Sequence, residues 1–304
     1  MKFQSVDDHL AYINLFNSFS PWLYKDENLC FLVDPGSMRF VNHVKKGLDK
    51  FGVGANDLDY ILLTHIHLDH AGGVGKLLEF FPQSKVVCHP NGIKHLINPE
   101  RLWEQSLKVL GKGAEKAGRI LPIPEGRMLT QDYIKHYGIK TIESLGHAPH
   151  HQSYIFKNYL FIGEAAGHNW LIPEFKFEFI YPATPPVFDY DKYIESIETL
   201  LKEDIDDCII CYPHVGMRKN ARNMVEIGYE QIKVWMHVFN TLYDDRDNPE
   251  IINLILDGLK KEDKIFASYE QFPENYKKTL PTAIRDTIKG IFGYLKAKRE
   301  IEEN

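Results

Sequence analysis

The chain of 304 residues is 44% hydrophobic and 26% charged, an ordinary balance for a globular protein of one large domain, or of a domain with a substantial extension. Its net charge of −6 gives no overall basic field for nucleic acid, no apolar run approaches membrane-spanning length, and residues 1–9 lack the apolar core of a signal peptide. The expectation is a cytoplasmic protein without a nucleic-acid or membrane partner; oligomeric state stays open.

In chain order, residues 12–19 and 28–33 read as strands, the second closed by the turn Asp34-Pro35-Gly36. Residues 40–51 read as a helix, with Phe40, Val41, Val44, Leu48 and Phe51 recurring at intervals of three and four. An apolar strand, Tyr60-Ile61-Leu62-Leu63, a helix over about 74–81 and a short strand at 85–88 come next. This alternation predicts a layered α/β fold. Residues 91–132 read as an irregular, partly helical insertion over the site. Its glycines Gly111, Gly113 and Gly118 form a plain loop, because no strand precedes them and the phosphate-loop pattern is missing. Strands resume at 139–145, 153–156 and 159–162, a helix at 191–202, and a strand at 208–211. From about residue 219 three segments, 224–242, 249–259 and 283–298, are helical. The domain organisation expected is 1–218, with the insertion at about 91–132, and a helical C-terminal extension at 219–304 packed on it.

Four cysteines do not make a disulfide framework in a chain this long. Cys208 and Cys211 have C-x-x-C spacing but lie in a strand, where positions three apart face opposite sides. They read as core thiols.

The segment Thr64-His65-Ile66-His67-Leu68-Asp69-His70-Ala71-Gly72-Gly73 places three imidazoles and a carboxylate within six positions, directly after a buried strand. Both groups suit zinc, iron and manganese, so the pattern points to a metal site at a sheet edge without choosing the ion. The pattern H-x-H-x-D-H resembles the signature of the metallo-β-lactamase superfamily. Three later stretches extend the resemblance, in the expected order, over roughly residues 14 to 216: 144–149 with His147, 161–164 with Glu164, and 211–216 with His214.

The resemblance implies a four-layered αββα sandwich and two divalent metal ions, most commonly zinc in that family, with iron or manganese as alternatives. It assigns His65, His67 and His147 to one ion, Asp69, His70 and His214 to the other, and Glu164 as the bridge. Glu164 is a departure, since the family usually has Asp there. Asp34 matches a position where the family often has an Asp that holds the ligand loop; it also reads as a plain turn residue before Pro-Gly. His151 reads either as a substrate-binding or ligand-orienting residue or as an exposed loop residue. His168 is a further candidate for the pocket lining, while His9, His43, His89, His95, His136 and His237 lie outside any ligand pattern. The aromatic residues Trp170, Phe175, Phe177, Phe179 and Tyr181 read as a packed strand face or an apolar entrance.

The activity implied is that of a dinuclear metallohydrolase using a metal-bound hydroxide on a small ester, lactone or thioester. Asp69 would bind metal and orient the nucleophile; Tyr212, His151 and a metal-bound water are candidates for the leaving-group acid. An iron-dependent oxidoreductase, of the persulfide dioxygenase or flavodiiron kind, is the alternative on the same scaffold. A phosphodiesterase or nuclease, and a non-enzymatic scaffold, rank below it.

Overall fold

The computed structural model describes residues 2–16, 18–172, 177–272, 274 and 280–303, with side chains left out at 170–178 and 275–285. These residues group into two compact units. The first comprises Met1–Glu143, Pro149–Gly163 and Asp207–Lys219; the second comprises Ser144–Ala148, Glu164–Asp206 and Asn220–Asn304.

The first unit is built on two sheets. The larger has the order β1-β2-β3-β4-β5-β6-β7, with β1 at Lys2–Ser5, β2 at Leu10–Asn14, β3 at Trp22–Lys25, β4 at Cys30–Val33, β5 at Tyr60–Leu62, β6 at Lys85–Val87 and β7 at Met128–Leu129. Strands β1 to β4 are joined by short turns and pair antiparallel. Strands β4 to β7 pair parallel because helical crossovers connect them. The crossovers are α1 (Val41–Lys50), then α2 (Leu68–Ala71) with α3 (Val74–Leu77), then α4 (Pro90–Ile97), α5 (Glu100–Leu110) and α6 (Lys112–Ala117). The segment read as an irregular insertion is thus largely helical. Gly111 and Gly118, at φ 52° and 90°, punctuate it on either side of α6, and Leu102, Ala114, Ile120 and Ile123 are buried in the core.

The smaller sheet has β8 (Lys140–Glu143), β9 (Gln152–Phe156), β10 (Tyr159–Phe161), β13 (Ile209–Cys211) and β14 (Met217–Arg218), in the order β14-β13-β10-β9-β8. Both faces of the central strands are covered, and the two-residue period sorts their side chains. In β4, Phe31 and Val33 face the smaller sheet, beside Tyr154, Phe156, Tyr159 and Phe161. Cys30 and Leu32 face the helical side with Val44, Leu48, Leu77 and Phe81. Between the sheets, Phe31 meets Phe156 and Phe161 edge-on, with ring centroids at 5.5 and 5.8 Å. A strand core of this kind makes the chain end of β5 a rigid support for the turn that leaves it.

The second unit contains the hairpin β11 (His168–Ile172) and β12 (Phe177–Tyr181), then α7 (Tyr190–Leu201), α8 (Ala221–Thr241), α9 (Ile251–Glu262), α10 (Lys264–Ala267) and α11 (Leu280–Glu302). Phe179, Trp235, Phe239, Ile255, Leu259, Phe266 and Ile291 form its core. The buried Asp263 ties it together: one carboxylate oxygen accepts from Gln231 Nε2 at 2.8 Å and Trp235 Nε1 at 2.7 Å. The other caps α10 through the N–H groups of Ile265 and Phe266. Of the aromatic residues singled out in the sequence, Phe179 packs in this core and Tyr181 stacks at 6.5 Å from Trp235. Phe175 lies outside the described residues, as do the side chains of Trp170 and Phe177. All four cysteines are buried, and burial pushes the Cys211 thiol well up. Among the described residues no helix is long and apolar enough to cross a membrane.

Candidate metal centre

In the first unit the donors stand on two short segments. One is the turn leaving β5. Thr64 N donates to Asp34 Oδ1 at 2.8 Å and Thr64 Oγ1 donates to Asp34 Oδ2 at 2.6 Å, which fixes the chain where β5 ends. His67 then takes an extended conformation, and its carbonyl accepts from His70 N and Ala71 N at 3.0 and 2.9 Å. The single turn of α2 thereby sets Asp69 and His70 side by side. The other segment is 212–216, held against residues 18–22: Trp22 Nε1 donates to Tyr212 O at 2.9 Å and Ser20 N to Pro213 O at 2.6 Å. This anchoring brings His214 to the end of the sheet. One donor atom each from Asp69, His70 and His214 lies within 4.8 Å of the others. The Phe19 ring makes T-shaped contacts with both His70 and His214, with ring centroids 5.1 Å apart in each. His65 and His67 meet through Nε2 and Nδ1 at 2.9 Å.

In the second unit, His147 and Glu164 form a separate pair, with His147 Nε2 at 2.5 Å from Glu164 Oε2. His147 follows Gly146, whose φ of 111° and close approach to the Tyr193 backbone exclude a side chain. Tyr193 Oη donates to the Glu164 carbonyl at 3.2 Å. Glu164 is buried, which by itself opposes its charge, yet the imidazoles of His147 and His168 hold its carboxyl well below the usual range.

The hydrogen bonds on the far nitrogens decide what these rings offer. Carbonyl and carboxylate oxygens only accept, so each takes an N–H from the imidazole it faces, and a neutral imidazole has one N–H. His70 Nδ1 faces Asp34 Oδ2 at 3.0 Å, His147 Nδ1 faces Ala183 O at 2.9 Å, and His214 Nδ1 faces Ser18 O at 3.2 Å. Each ring turns Nε2, which in the neutral form carries a lone pair, toward a carboxylate: His70 and His214 toward Asp69 Oδ2 at 3.7 and 3.4 Å, His147 toward Glu164. Lone pair against carboxylate is repulsive unless a positive charge stands there. A proton on Nε2, which makes the ring an imidazolium, meets that need, and so does a divalent cation; outer-shell oxygens fixing Nδ1–H are what metal-ligating histidines require. The donor set therefore fits a metal.

Asp34 ties together the ligand turn of the first unit. It is buried, at a left-handed φ of 46°, and it bonds Thr64 and His70 together. His151 is fully buried, its ring 5.0 Å from that of His65 and its edge packed against Gly163. His150 is partly exposed, its ring 5.8 Å from that of His67. Tyr212 is fully buried; its hydroxyl has no hydrogen-bond partner among the described residues, and burial pushes its pKa up. His89, outside the ligand pattern, caps α4 and pairs with Glu143 at 2.7 Å. The sequence analysis gave no role to Thr64 or to the carbonyls of Ser18 and Ala183. Only Thr64, directly before His65 and rare as a polar residue at the end of an apolar strand, carried a readable signal.

The profile of the metallo-β-lactamase superfamily matches residues 20–214. The chain belongs to that superfamily. Its mixed α/β fold with C-terminal helices is the metallo-β-lactamase fold. It is 31% identical over 174 residues to a metallo-β-lactamase fold-containing protein of Sulfurisphaera tokodaii, covering 53% of this chain and 61% of the relative. It is 29% identical over 133 residues to a probable metallo-hydrolase of Methanocaldococcus jannaschii, covering 44% and 60%. The chain thus spans about three fifths of these relatives' own lengths. A hydroxyacylglutathione hydrolase of Aeromonas salmonicida is 45% identical over 65 residues, 21% of this chain and 23% of that one. Among solved structures, a metallo-β-lactamase superfamily protein from Sulfolobus tokodaii aligns at a TM-score of 0.61 with 24% identity, over 74% of this chain and 86% of that chain. A metallo-β-lactamase family protein from Thermus thermophilus aligns at 0.59 with 17% identity, over 98% and 95%.

Proposed function

We propose that this protein is a dinuclear metallohydrolase acting on a small ester, lactone or thioester. The observation that carries the reading is the set of three imidazoles, His70, His147 and His214, each with Nδ1–H spent on an oxygen acceptor and Nε2 turned to a carboxylate. In this reading His65, His67 and His147 serve one ion, Asp69, His70 and His214 the other, and Glu164 both. When bound, the two ions would lower the pKa of water toward about 7 and stabilise negative charge on the scissile carbonyl. Asp69, half exposed on α2, orients the attacking water and accepts its hydrogen bond. Asp34 and Thr64 hold the ligand turn so that the donors do not reorganise during the reaction. The local likeness to hydroxyacylglutathione hydrolases favours a thioester among the candidate substrates.

The test is metal content and turnover together. Protein stripped by a chelator should lose activity against a panel of lactones and thioesters and regain it with zinc or manganese at about two ions per chain. His67→Ala and Asp69→Ala should abolish turnover while circular dichroism stays unchanged. Turnover that survives either substitution, or a single iron with oxygen consumed in the presence of a persulfide, would overturn the proposal.

A further inference from the structure

Glu164 sits between two imidazoles, and they are not equivalent. Both nitrogens of His147 face oxygens that only accept, the Ala183 carbonyl and the Glu164 carboxylate. His168 presents Nε2 to the other carboxylate oxygen, Glu164 Oε1, but its Nδ1 faces the Tyr181 hydroxyl at 3.1 Å. A phenol can donate as well as accept. A carboxylate that binds a cation has no proton to give, so His168 Nε2 carries the hydrogen, and in the neutral ring Nδ1 accepts one from Tyr181. The run Tyr181 O–H to His168 Nδ1, then His168 Nε2–H to Glu164 Oε1, matches donor to acceptor throughout with a neutral ring. One neutral tautomer serves both of these contacts of His168, whereas no neutral tautomer of His147 donates to both of its acceptors.

The hairpin supplies this pair as a unit. His168 opens β11, Tyr181 closes β12, and the two are direct partners in the antiparallel register. Their rings lie 5.2 Å apart at 70°. Glu164 is four residues before His168 and reaches it while keeping its second oxygen on His147. An aspartate would withdraw the carboxylate by one C–C bond, about 1.5 Å, too far to hold both contacts.

We propose that His168 is a positioning residue for the metal-ligating carboxylate: braced by Tyr181, it occupies one oxygen of Glu164 and leaves the other to ligate. It is the partner that accompanies Glu, in place of Asp, at residue 164. The inference rests on the ligand role proposed for Glu164 above.

The experiment is titration of the metal-free full-length protein with Zn²⁺ against a chromophoric chelator, with the absorption spectrum of bound Co²⁺ as a second readout. His168→Ala should weaken one ion by about 10–100-fold without changing the number bound at saturation. His168→Gln, whose amide still donates to Oε1 but is a poor ligand, should return affinity to within about threefold of wild type and restore the Co²⁺ spectrum. Glu164→Asp should lose as much as His168→Ala, and the double variant little more than either. Unchanged affinity in His168→Ala overturns the inference. So does a His168→Gln protein that loses one ion outright, since His168 would then be a ligand itself. If His168→Ala fails to fold, Tyr181→Phe decides: an affinity loss of about threefold or more supports the brace, and unchanged affinity overturns it. A wild-type protein that takes up no ion overturns the metal reading and the role of His168 with it, whereas an ion-binding wild type indifferent to both substitutions overturns the role of His168 alone.

Discussion

Asp34→Asn isolates the charge that organises the ligand turn. Asparagine has the same size and tolerates the left-handed backbone that residue 34 adopts at φ 46°, so the substitution changes acceptors and little else. The carboxylate accepts three buried hydrogen bonds: Thr64 N at 2.8 Å on Oδ1, and Thr64 Oγ1 at 2.6 Å and His70 Nδ1 at 3.0 Å on Oδ2. An amide supplies one acceptor oxygen. The better of its two orientations keeps that oxygen on Thr64 Oγ1 and His70 and turns NH₂ against Thr64 N–H. One charge-assisted bond is then lost, at about 2 kcal/mol, and two become neutral, at about 1 kcal/mol each. The total, about 4 kcal/mol, should appear as roughly a thousandfold loss of amide protection in peptides covering 60–70 of the metal-free protein. Metal affinity should fall by about 10–100-fold, because the Nδ1 contact of His70 is weakened. Protection within about tenfold of wild type would refute the reasoning, for it would mean that Asp34 is a turn residue whose carboxylate bears no load.

Acid stability tests a site away from the metal centre. The Tyr24 hydroxyl, followed by the backbone N–H groups of Asn28 and Leu29 and by Lys157, holds the Asp26 carboxyl down at about 2, against a desolvation that opposes it. Its stabilising contribution is complete above the unfolded pKa of about 3.9 and disappears as pH falls through 2, so Asp26→Asn should flatten the stability profile between pH 4 and 2 by about 1 kcal/mol after screening at this part-exposed site. A profile as steep as that of wild type would show that other carboxylates set the acid slope. In the second unit, Asp263→Ala removes the acceptor for Gln231, Trp235 and the first turn of α10. It should cost about 3–5 kcal/mol in chemical denaturation, with Trp235 fluorescence as the reporter; a loss below about 1 kcal/mol would mean that water replaces those bonds.

The histidine cluster was legible because a tight turn keeps sequence neighbours together: four donors within six residues stay together whatever the rest of the chain does. The central strands were legible for a similar reason, since Cys30–Val33 and Tyr60–Leu62 are apolar on both faces. The first hairpin was less so. Residues 12–19 read as one strand, but Phe16 turns at φ 59° and Leu15 pairs back on Phe19, so β2 ends at Asn14 and β3 begins at Trp22, unforeseen. The helix expected over 74–81 keeps helical bonding only over Val74–Leu77 before irregular turns. Partners of single polar groups were the hardest to read, because they depend on register: no local pattern says that His168 will face Tyr181 across a hairpin.

The same limit applies to the contacts that orient the ligands. Two of the three Nδ1 acceptors are main-chain carbonyls, those of Ser18 and Ala183. Every residue has a carbonyl, so such a partner leaves no trace in side-chain identity, however much it does for the imidazole. This distinction can be tested on Ser18, whose hydroxyl bonds the Leu15 carbonyl at 2.8 Å while its own carbonyl holds His214. Ser18→Ala should cost about 1 kcal/mol of stability and leave metal affinity within about twofold of wild type, because the carbonyl survives the substitution. Ser18→Pro alters the backbone and removes the N–H that bonds Leu15 O, so it should weaken metal binding far more than the loss of the hydroxyl does. Equal losses in the two variants would assign the orienting role to the side chain, and the identity of residue 18 would then carry information that the backbone account denies it.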